Sequence, residues 1–358
     1  MKRFKYHFEP EHGWINDPNG LIYFKGKYHA FFQYNPKEPK WGPMHWGHAV
    51  SDDLIHWHEL PIALKPDMCY ENDGGCFSGS AVEKDGIMYL FYTSVSDKYG
   101  QTQSVAMSND GINFIKYEGN PIIITPPADG SKDFRDPKVT FIDGKYYMVV
   151  GSGKDGVGKV LLYKSDDLLK WNYIGVLYEN ADFGAVFECP DFFKMGDSYV
   201  LMFSKMISDM NKTQFVIGDF DGDKFYPKSF RSPENGPQFY APQTFQDNKE
   251  RRILIGWFYN WGKKPEPGLP FAGALTIPRE VKIDNGTIRL FPVAEAQHLL
   301  SSEDELIEIY KDKIIMHDSG KTNDLYYNGI VNSVHILRDE KALEVFINNG
   351  ETSYSYWI

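Results

Sequence analysis

The stretch KVTFIDGKYYMVVGS, residues 138–152, indicates how this chain folds: an apolar strand, a turn containing Gly144 and a second apolar strand. Apolar runs on both sides of a short glycine turn are typical of a β-hairpin. The pattern recurs as LIYFKGKYHAFFQYN (21–35), SAVEKDGIMYLFYTS (80–94), DFFKMGDSYVLMFSK (191–205) and QTFQDNKERRILIGWF (243–258). The last copy lacks the turn glycine and is the weakest of the five.

A second motif follows the first four hairpins at nearly the same interval. It is an aspartate four positions before an aromatic residue, and its copies are Asp53/Trp57, Asp110/Phe114, Asp167/Trp171 and Asp221/Phe225. Successive aspartates are 57, 57 and 54 residues apart, so two independent motifs share one period. Five repeats of about four short strands each predict an all-β fold in residues 1–292, a five-bladed β-propeller.

The repeat stops after Pro292, and residues 293–358 are expected to form a small, shortened β domain. The run PVAEAQHLLSSEDEL (292–306) suggests a short connector helix, and the runs after it suggest an antiparallel sheet or sandwich. So small a region is near the lower limit for an independent core. TSYSYWI (352–358) would present an apolar strand edge, so homo-oligomerisation through this C-terminal region is an expectation.

The composition restricts the class of protein. The formal net charge of −11 disfavours nucleic acid and anionic membranes as partners. No apolar run approaches the roughly 18 residues of a membrane span, and MKRFKYHFEPEHG at the start lacks the apolar segment of a signal peptide. Cys69, Cys76 and Cys189 are too sparse for a disulfide framework. These features predict a cytoplasmic location.

Three acids precede hairpin turns at nearly equal distances. The residues eight or nine positions before the five turns are Asp17, Ser78, Asp136, Glu188 and Tyr240. Because equivalent positions of successive blades are related by rotation about the central axis, these side chains should converge on one pocket. Acids gathered around one axis repel each other, so a cluster of them points to chemistry that needs carboxylates.

Paired carboxylates are the groups that carry out glycoside hydrolysis. One gives a proton to the leaving oxygen, and the other attacks the anomeric carbon or activates water. Glu188 is expected to be the acid, because neighbouring acids, including Asp191, favour its protonated form. Asp17 is expected to be the nucleophile. Asp136 beside Arg135 should stay ionised and could bind sugar hydroxyls.

Seven motifs resemble glycoside hydrolase family 32, which holds invertases, sucrose-6-phosphate hydrolases, levanases and inulinases. They are WINDPNG (14–20), QYNP (33–36), WGHAVSDDLIHW (46–57), CFSGSAV (76–82), FRDPKV (134–139), ECPD (188–191) and PRE (278–280). The resemblance covers residues 6 to about 295. It implies a retaining β-fructofuranosidase acting on sucrose, sucrose-6-phosphate or short fructo-oligosaccharides, without a metal or other cofactor.

The resemblance also implies residue roles. Asp17 matches the nucleophile, Glu188 the acid/base and Asp136 the transition-state stabiliser. The substrate-binding set comprises Trp14, Asn16, Gln33, Trp41, Phe77, Ser78, Arg135, Tyr240 and Trp261. The chain departs from the family after Pro292, where the usual C-terminal sandwich is much longer. VHILRDEKALEVFINNG (334–350) is still similar to the closing strands of that sandwich, which indicates internal shortening.

Other interpretations stay open or are disfavoured. A fructosyltransferase would use the same acids and pass the fructosyl group to a sugar, and one sequence does not separate it from a hydrolase. A non-catalytic sugar-binding propeller is disfavoured because all three acids are present. DFDGD (219–223) lacks the glycine and glutamate that a calcium loop needs at its sixth and twelfth positions. The pairs His45/His48 and His56/His58 are read as packing residues, not as zinc ligands.

Overall fold

The computed structural model describes residues 3–206, 213–318, 321–325, 327 and 329–358. The described chain is all-β, as predicted, with five large sheets followed by two small three-stranded sheets. Short 3-10 helices lie at Cys69–Glu71, Ala181–Phe183 and Ala294–Leu299. The last of these is the connector helix expected after Pro292.

The first two large sheets are built in chain order from antiparallel neighbours. The first contains β1 (Gly13–Phe24), β2 (Lys27–Asn35), β3 (His45–Ser51) and β4 (Trp57–Leu64). The second contains β5 (Gly75–Lys84), β6 (Ile87–Ser96), β7 (Gly100–Ser108) and β8 (Ile115–Lys116). The first two predicted hairpins are therefore the β1–β2 and β5–β6 pairs.

The next two sheets repeat this order. The third contains β9 (Phe134–Ile142), β10 (Lys145–Lys154), β11 (Val157–Ser165) and β12 (Asn172–Asn180). The fourth contains β13 (Phe187–Met195), β14 (Ser198–Lys205), β15 (Thr213–Phe220) and β16 (Phe225–Arg231). In both sheets the predicted hairpin forms the first two strands.

The fifth sheet is less regular. Its strands are β17 (Tyr240–Gln246), β18 (Arg252–Phe258), β20 (Ala274–Leu275), β21 (Arg279–Asp284) and β22 (Thr287–Pro292). The short β19 (Phe271–Ala272) instead pairs in parallel with β1, which joins the fifth repeat to the first. The first strands of the five sheets are neighbours in turn, β1 to β5, β9, β13 and β17, and β17 lies beside β1.

The repeated aspartates build the turn between the third and fourth strands of a sheet. The Asp167 carboxylate accepts backbone N–H bonds from Leu169 and Lys170, at 2.9 and 2.8 Å, and the Trp171 indole N–H donates to the carbonyl of Leu168. Asp53 and Asp110 make the same two backbone bonds in their sheets. The second motif is therefore a structural turn, since the carboxylate replaces missing backbone acceptors.

The C-terminal region is antiparallel, as expected, and forms two sheets. One holds β23 (Ile307–Ile309), β24 (Ile314–Asp318) and β25 (Lys321–Leu325), and the other β26 (Val334–Asp339), β27 (Ala342–Ile347) and β28 (Thr352–Trp357). Residues 233–238 run along β28, and the Ser353 N–H donates to the Pro233 carbonyl at 2.8 Å. The edge that suggested self-association is thus covered by the chain itself.

A buried network of charges joins this region to the rest of the protein. Arg279, fully enclosed, donates to Glu234 and, at 3.0 Å, to Glu344. His7 lies between Glu344 and Asp339, at 3.2 and 3.0 Å. Burial alone would lower the pKa of His7, but its hydrogen bonds to the two carboxylates outweigh burial and raise it to about 9. The imidazolium therefore belongs to the folded state at neutral pH.

We expect Arg279→Met to lower the free energy of unfolding by about 3–5 kcal/mol, because it leaves Glu234 buried without its counter-charge and leaves Glu344 with His7 alone. Urea unfolding at pH 7 measures the change. Arg289→Met is the control, since Arg289 pairs with the half-exposed Asp284 and should cost about 1 kcal/mol or less. Equal losses in the two variants would contradict this account of the buried network.

Candidate active site

A pocket of about 300 Å³ lies where the first strands of the sheets begin. It is lined by Asn16, Asp17, Gln33, Trp41, Phe77, Ser78, Gln101, Asp133, Arg135, Asp136, Glu188 and Trp261. Ten of the twelve predicted site residues are in this set. The other two, Trp14 and Tyr240, contact lining residues instead: Trp14 packs against Trp261, and the Tyr240 hydroxyl donates to Glu188.

Each first strand carries a β-bulge at the pocket end. The register of pairing breaks between Ile15 and Pro18, Phe77 and Gly79, Arg135 and Lys138, Glu188 and Asp191, and Tyr240 and Gln243. A bulge redirects side chains that regular alternation would send to opposite faces. Arg135 and Asp136 are consecutive, and both line the pocket for this reason.

The predicted equivalence of Asp136 and Glu188 is wrong by one residue. Glu188 and Arg135 each directly precede a bulge, whereas Asp136 is the first bulged residue and corresponds to Cys189. Both bulged residues have positive φ, 67° at Asp136 and 47° at Cys189. Counting eight residues back from each turn glycine gave the wrong register, because the two glycines occupy different turn positions. Gly144 is the second residue of its two-residue turn, whereas Gly196 is the first.

Asp17 is oriented by short neutral donors. The Ser78 hydroxyl donates to Oδ2 at 2.7 Å, and the Asn16 amide donates to Oδ1 at 3.0 Å. The Trp14 indole N–H fixes Asn16 by donating to its carbonyl oxygen at 2.7 Å. Burial raises the pKa of Asp17, while the bonds from Ser78 and Asn16 hold it down. Among the described residues, neutral donors thus hold this carboxylate in one orientation.

Glu188 is held at both oxygens. Arg135 donates to Oε1 through Nε at 3.0 Å and Nη2 at 2.9 Å, and the Tyr240 hydroxyl donates to Oε2. Burial, together with the nearby Glu188 carboxylate, raises the pKa of Tyr240 well above its usual value, so the phenol stays a donor. The remaining guanidinium nitrogen of Arg135 bonds Asp133 at 2.8 Å and Gln101 at 3.3 Å.

Asp136 lies on the pocket floor, 3% exposed. The Cys189 backbone N–H donates to its Oδ2 at 2.8 Å. Burial raises the pKa of Asp136 to about 7, and the positive charge of Arg135 only partly opposes this. The expectation that Arg135 keeps Asp136 ionised is therefore weakened, because the hydrogen bonds of the guanidinium go to Glu188, Asp133 and Gln101.

The matching family model, described as "Glycosyl hydrolases family 32 N-terminal domain", covers residues 7–292. The chain belongs to glycosyl hydrolase family 32. It is 43% identical to a sucrose-6-phosphate hydrolase of Escherichia coli over 317 residues, which cover 82% of this chain and 65% of that relative. A sucrose-6-phosphate hydrolase of Bacillus subtilis is 30% identical over 421 residues, covering 98% of this chain and 87% of the relative. The chain thus spans just under two thirds of the length of the Escherichia coli protein.

Solved structures of family 32 enzymes are similar over nearly the whole chain. A family 32 β-fructofuranosidase of Bombyx mori is 32% identical with a TM-score of 0.88, covering 99% of this chain and 89% of that one. A variant of the same enzyme in complex with sucrose is 33% identical, with a TM-score of 0.87 and the same coverage. The fold of the described residues is therefore that of family 32.

Two lining residues, Asp133 and Gln101, were missed by the sequence reasoning. Asp133 is two positions before Arg135 in the same strand region, so alternation places both on one face, and that signal was available. Gln101 lies near the start of β7, the third strand of its sheet, and nothing in the sequence marks it. Asp191 was expected beside Glu188 but is fully buried outside the pocket, where Thr244 donates to its carboxylate.

The histidine pairs have ordinary partners. His48 Nε2 is hydrogen-bonded to His29 Nδ1 at 3.0 Å, and His56 Nδ1 to Asp53 Oδ2 at 2.7 Å. Asp221 of the DFDGD run accepts backbone N–H bonds from Asp223 and Lys224, like the other turn aspartates. Among the residues that the structure describes, no group of three or more His, Cys, Asp or Glu is placed to bind a metal ion. No helix in that part of the chain is long and apolar enough to cross a membrane.

We expect Asp136→Asn to be more stable than the wild type at pH 8, by up to about 4 kcal/mol. The folded-state pKa of Asp136 is about 7, against 3.8 for the unfolded chain. The folded protein therefore loses stability at this group as the pH rises from about 4 to 7, and an amide does not. Urea unfolding at pH 4 and pH 8 measures the difference, which should vanish at pH 4.

Asp85→Asn is the matched control, an exposed turn aspartate with positive φ that asparagine also adopts. Its stability relative to the wild type should not depend on pH in this range. If Asp136→Asn destabilised the protein equally at both pH values, burial of the charged form would not be the cost that we assign to it.

Proposed function

We propose that the protein is a retaining β-fructofuranosidase that hydrolyses sucrose, with sucrose-6-phosphate and short fructo-oligosaccharides as related substrates. The observation that carries this is the pocket in which Asp17 and Glu188 meet, each fixed by its own donors, above Asp136 on the floor. The names of its relatives, the Escherichia coli sucrose-6-phosphate hydrolase and the Bombyx mori β-fructofuranosidase, support the choice of a fructoside.

The first step transfers the fructosyl group to the enzyme. The Asp17 carboxylate attacks the anomeric carbon of the fructosyl ring while the bond from that carbon to the leaving oxygen breaks. Glu188 gives its proton to that oxygen, so glucose leaves as a neutral alcohol and a fructosyl ester of Asp17 remains. Ser78 and Asn16 suit this role for Asp17, because they orient the carboxylate without neutralising its charge.

The second step restores the enzyme. The Glu188 carboxylate takes a proton from a water molecule, the oxygen attacks the same carbon, and the ester bond to Asp17 breaks. The two steps each invert the anomeric carbon, so its configuration is retained overall. With methanol in place of water, the expected product is therefore methyl β-fructofuranoside. Asp136 is proposed to bind fructosyl hydroxyls with hydrogen bonds that strengthen as the ring becomes cationic.

The depth of the pocket separates two sugar subsites. Gln33, Ser78 and Asp136 are nearly inaccessible at the floor, whereas Trp41 and Trp261 are about half exposed at the mouth. We propose that the fructosyl ring lies at the floor and that the leaving sugar lies between the mouth aromatics, whose faces suit the apolar faces of sugar rings. The set proposed to bind substrate is Trp14, Asn16, Gln33, Trp41, Phe77, Ser78, Arg135, Tyr240 and Trp261.

We further propose that residues 1–292 form a five-bladed β-propeller carrying the site and that residues 293–358 form a reduced C-terminal β domain. The mutual adjacency of the five first strands supports the propeller. Alignment of 98% of this chain with the Bacillus subtilis relative over 421 positions supports internal shortening, because those positions outnumber the chain's 358 residues. Three unpaired cysteines suit a cytoplasmic location.

We expect Asp17→Ala to lower kcat for sucrose by roughly 10⁴-fold or more, because the covalent step loses its nucleophile. Glu188→Ala should lower it by about 10²–10⁴-fold, the contribution of a general acid. With nitrophenyl β-fructofuranoside, the leaving group needs no proton, so kcat should rise appreciably toward the wild-type value in Glu188→Ala but not in Asp17→Ala. Initial rates with both substrates measure this, and Asp52→Ala, a change at an exposed surface ion pair, is the control. Near wild-type turnover in either site variant would refute the assigned roles.

We expect sucrose to be preferred over sucrose-6-phosphate. The described lining residues carry four carboxylates against one guanidinium, and that guanidinium is committed to Glu188 and Asp133. Asp133 lines the pocket and its side chain is about a third exposed, so its charge should repel a phosphate on the leaving sugar and lower kcat/KM for that substrate by about fivefold. Asp133→Asn should shift the ratio of kcat/KM values toward sucrose-6-phosphate by that factor, and Asp129→Asn, outside the lining set, should leave it unchanged. A wild-type preference for the phosphorylated sugar would show that this charge argument is wrong.

A further inference from the structure

A lysine and an aspartate form an enclosed ion pair near the pocket without lining it. Lys138 Nζ lies 3.3 Å from Asp191 Oδ2, and the two side chains are 5% and 0% exposed. Thr244 donates to the same carboxylate oxygen through its backbone N–H at 2.7 Å and its hydroxyl at 2.8 Å. Lys138 also donates to the carbonyl of Thr244. Neither charged side chain belongs to the pocket lining, so the proposed reaction makes no direct use of them.

The three residues lie on the three strands that carry one side of the site. Lys138 follows Asp136 by two residues on β9, Asp191 follows Glu188 by three on β13, and Thr244 follows Tyr240 by four on β17. In β13 and β17 the bulge lies between the site residue and the residue of this cluster, and in β9 the bulge contains Asp136 and ends at Lys138. The cluster therefore ties the strands together directly after the irregular segments that set the direction of the site side chains.

Stability alone gives no reason for such a pair. Removing two charges from water costs more than their attraction returns unless the geometry is excellent, and apolar replacements of buried pairs are often neutral or stabilising. Here burial lowers the pKa of Lys138 despite the neighbouring carboxylate, and Asp191 Oδ1 is buried with no hydrogen-bond partner among the described residues. The pair does constrain the relative position of three strands. The Lys138 ammonium on β9 contacts both Asp191 on β13 and Thr244 on β17, and this limits sliding of β9 along the other two strands.

We propose that Lys138 and Asp191 are positioning residues that hold Asp136 and Glu188 in register with each other for catalysis. Reaction rates are sensitive to displacements of catalytic groups on the ångström scale, and the bulged segments have no regular ladder to prevent such shifts. The cluster supplies the missing constraint. The inference rests on the proposed hydrolase function, since its consequence is a rate.

The test is the double variant Lys138→Met/Asp191→Asn. Methionine keeps the volume of the lysine stem, and asparagine keeps an acceptor for Thr244, so the charge-directed contact is removed with little change in packing. We expect its melting temperature to stay near the wild-type value. We expect kcat for sucrose to fall by about 10- to 100-fold with KM within about threefold of the wild type, because an interaction that matters only in the transition state lowers kcat.

Two further measurements separate positioning from a structural role. The loss should be smaller with nitrophenyl β-fructofuranoside than with sucrose, because a displaced Glu188 matters less when the leaving group needs no proton. The matched control is Arg251→Met/Asp247→Asn, which removes a comparably buried pair at the turn between β17 and β18, together with the ion pair of Arg251 with Glu295, and should leave kcat unchanged.

The outcomes are distinct. An active wild type with an equally active Lys138→Met/Asp191→Asn variant would show that the pair only packs, and the proposed function would stand. An equal loss in the control variant would assign the effect to general disturbance and also overturn the inference. A wild type inactive on every fructoside would overturn the proposed function and, with it, the inference.

Discussion

The bulges at the start of the five first strands are the constraint on which the site depends. In a regular strand, neighbouring side chains point to opposite faces, so at most one of Arg135 and Asp136 could face the pocket. The bulge in β9 directs both inward, and the bulge in β13 contains Cys189, whose backbone N–H donates to Asp136. The cost is local, with positive φ at non-glycine residues and a broken ladder. A regular inner strand would be more stable but could not bring these groups together.

Electrostatics then determine which acid receives which partner. The described lining of the pocket contains four carboxylates and one guanidinium, and Arg135 donates hydrogen bonds to Glu188 and Asp133. Asp17 is left with neutral donors, and Asp136 with the backbone N–H and the thiol of Cys189. Burial consequently raises the pKa of both aspartates. This unequal sharing gives three carboxyl groups in one cavity different electrostatic surroundings.

The sequence was a good guide wherever the determinant is local. Hairpins around Gly86 and Gly144, and turns closed by Asp53 and Asp167, follow from backbone preferences that a few residues encode. Acids before the turns were found because they share those repeats. The one-residue error at Asp136 arose because register depends on strand pairing, which the position of a turn glycine does not determine. Asp191 was misplaced for the same reason, since alternation after an unseen bulge cannot be counted from the sequence.

The C-terminal region shows how a short segment can fold without a large core of its own. Leu337 and Phe346 belong to the same apolar cluster as Ile15 and Phe32, so part of the core of this region is shared with the first sheet. Its last strand receives backbone hydrogen bonds from residues 233–238. Beside this seam lies the enclosed Arg279, whose charge is satisfied only when Glu234 on one side and Glu344 on the other are both in place. Apolar burial holds the C-terminal region against the preceding sheets but does not fix the angle between them. A guanidinium bonded to both does fix that angle, because its donors lie in one plane. The proposed shortening is therefore tolerable as long as the strands that bind Arg279 remain. These strands are β27 and β28, which contact it through Glu344, Ser353 and Ser355.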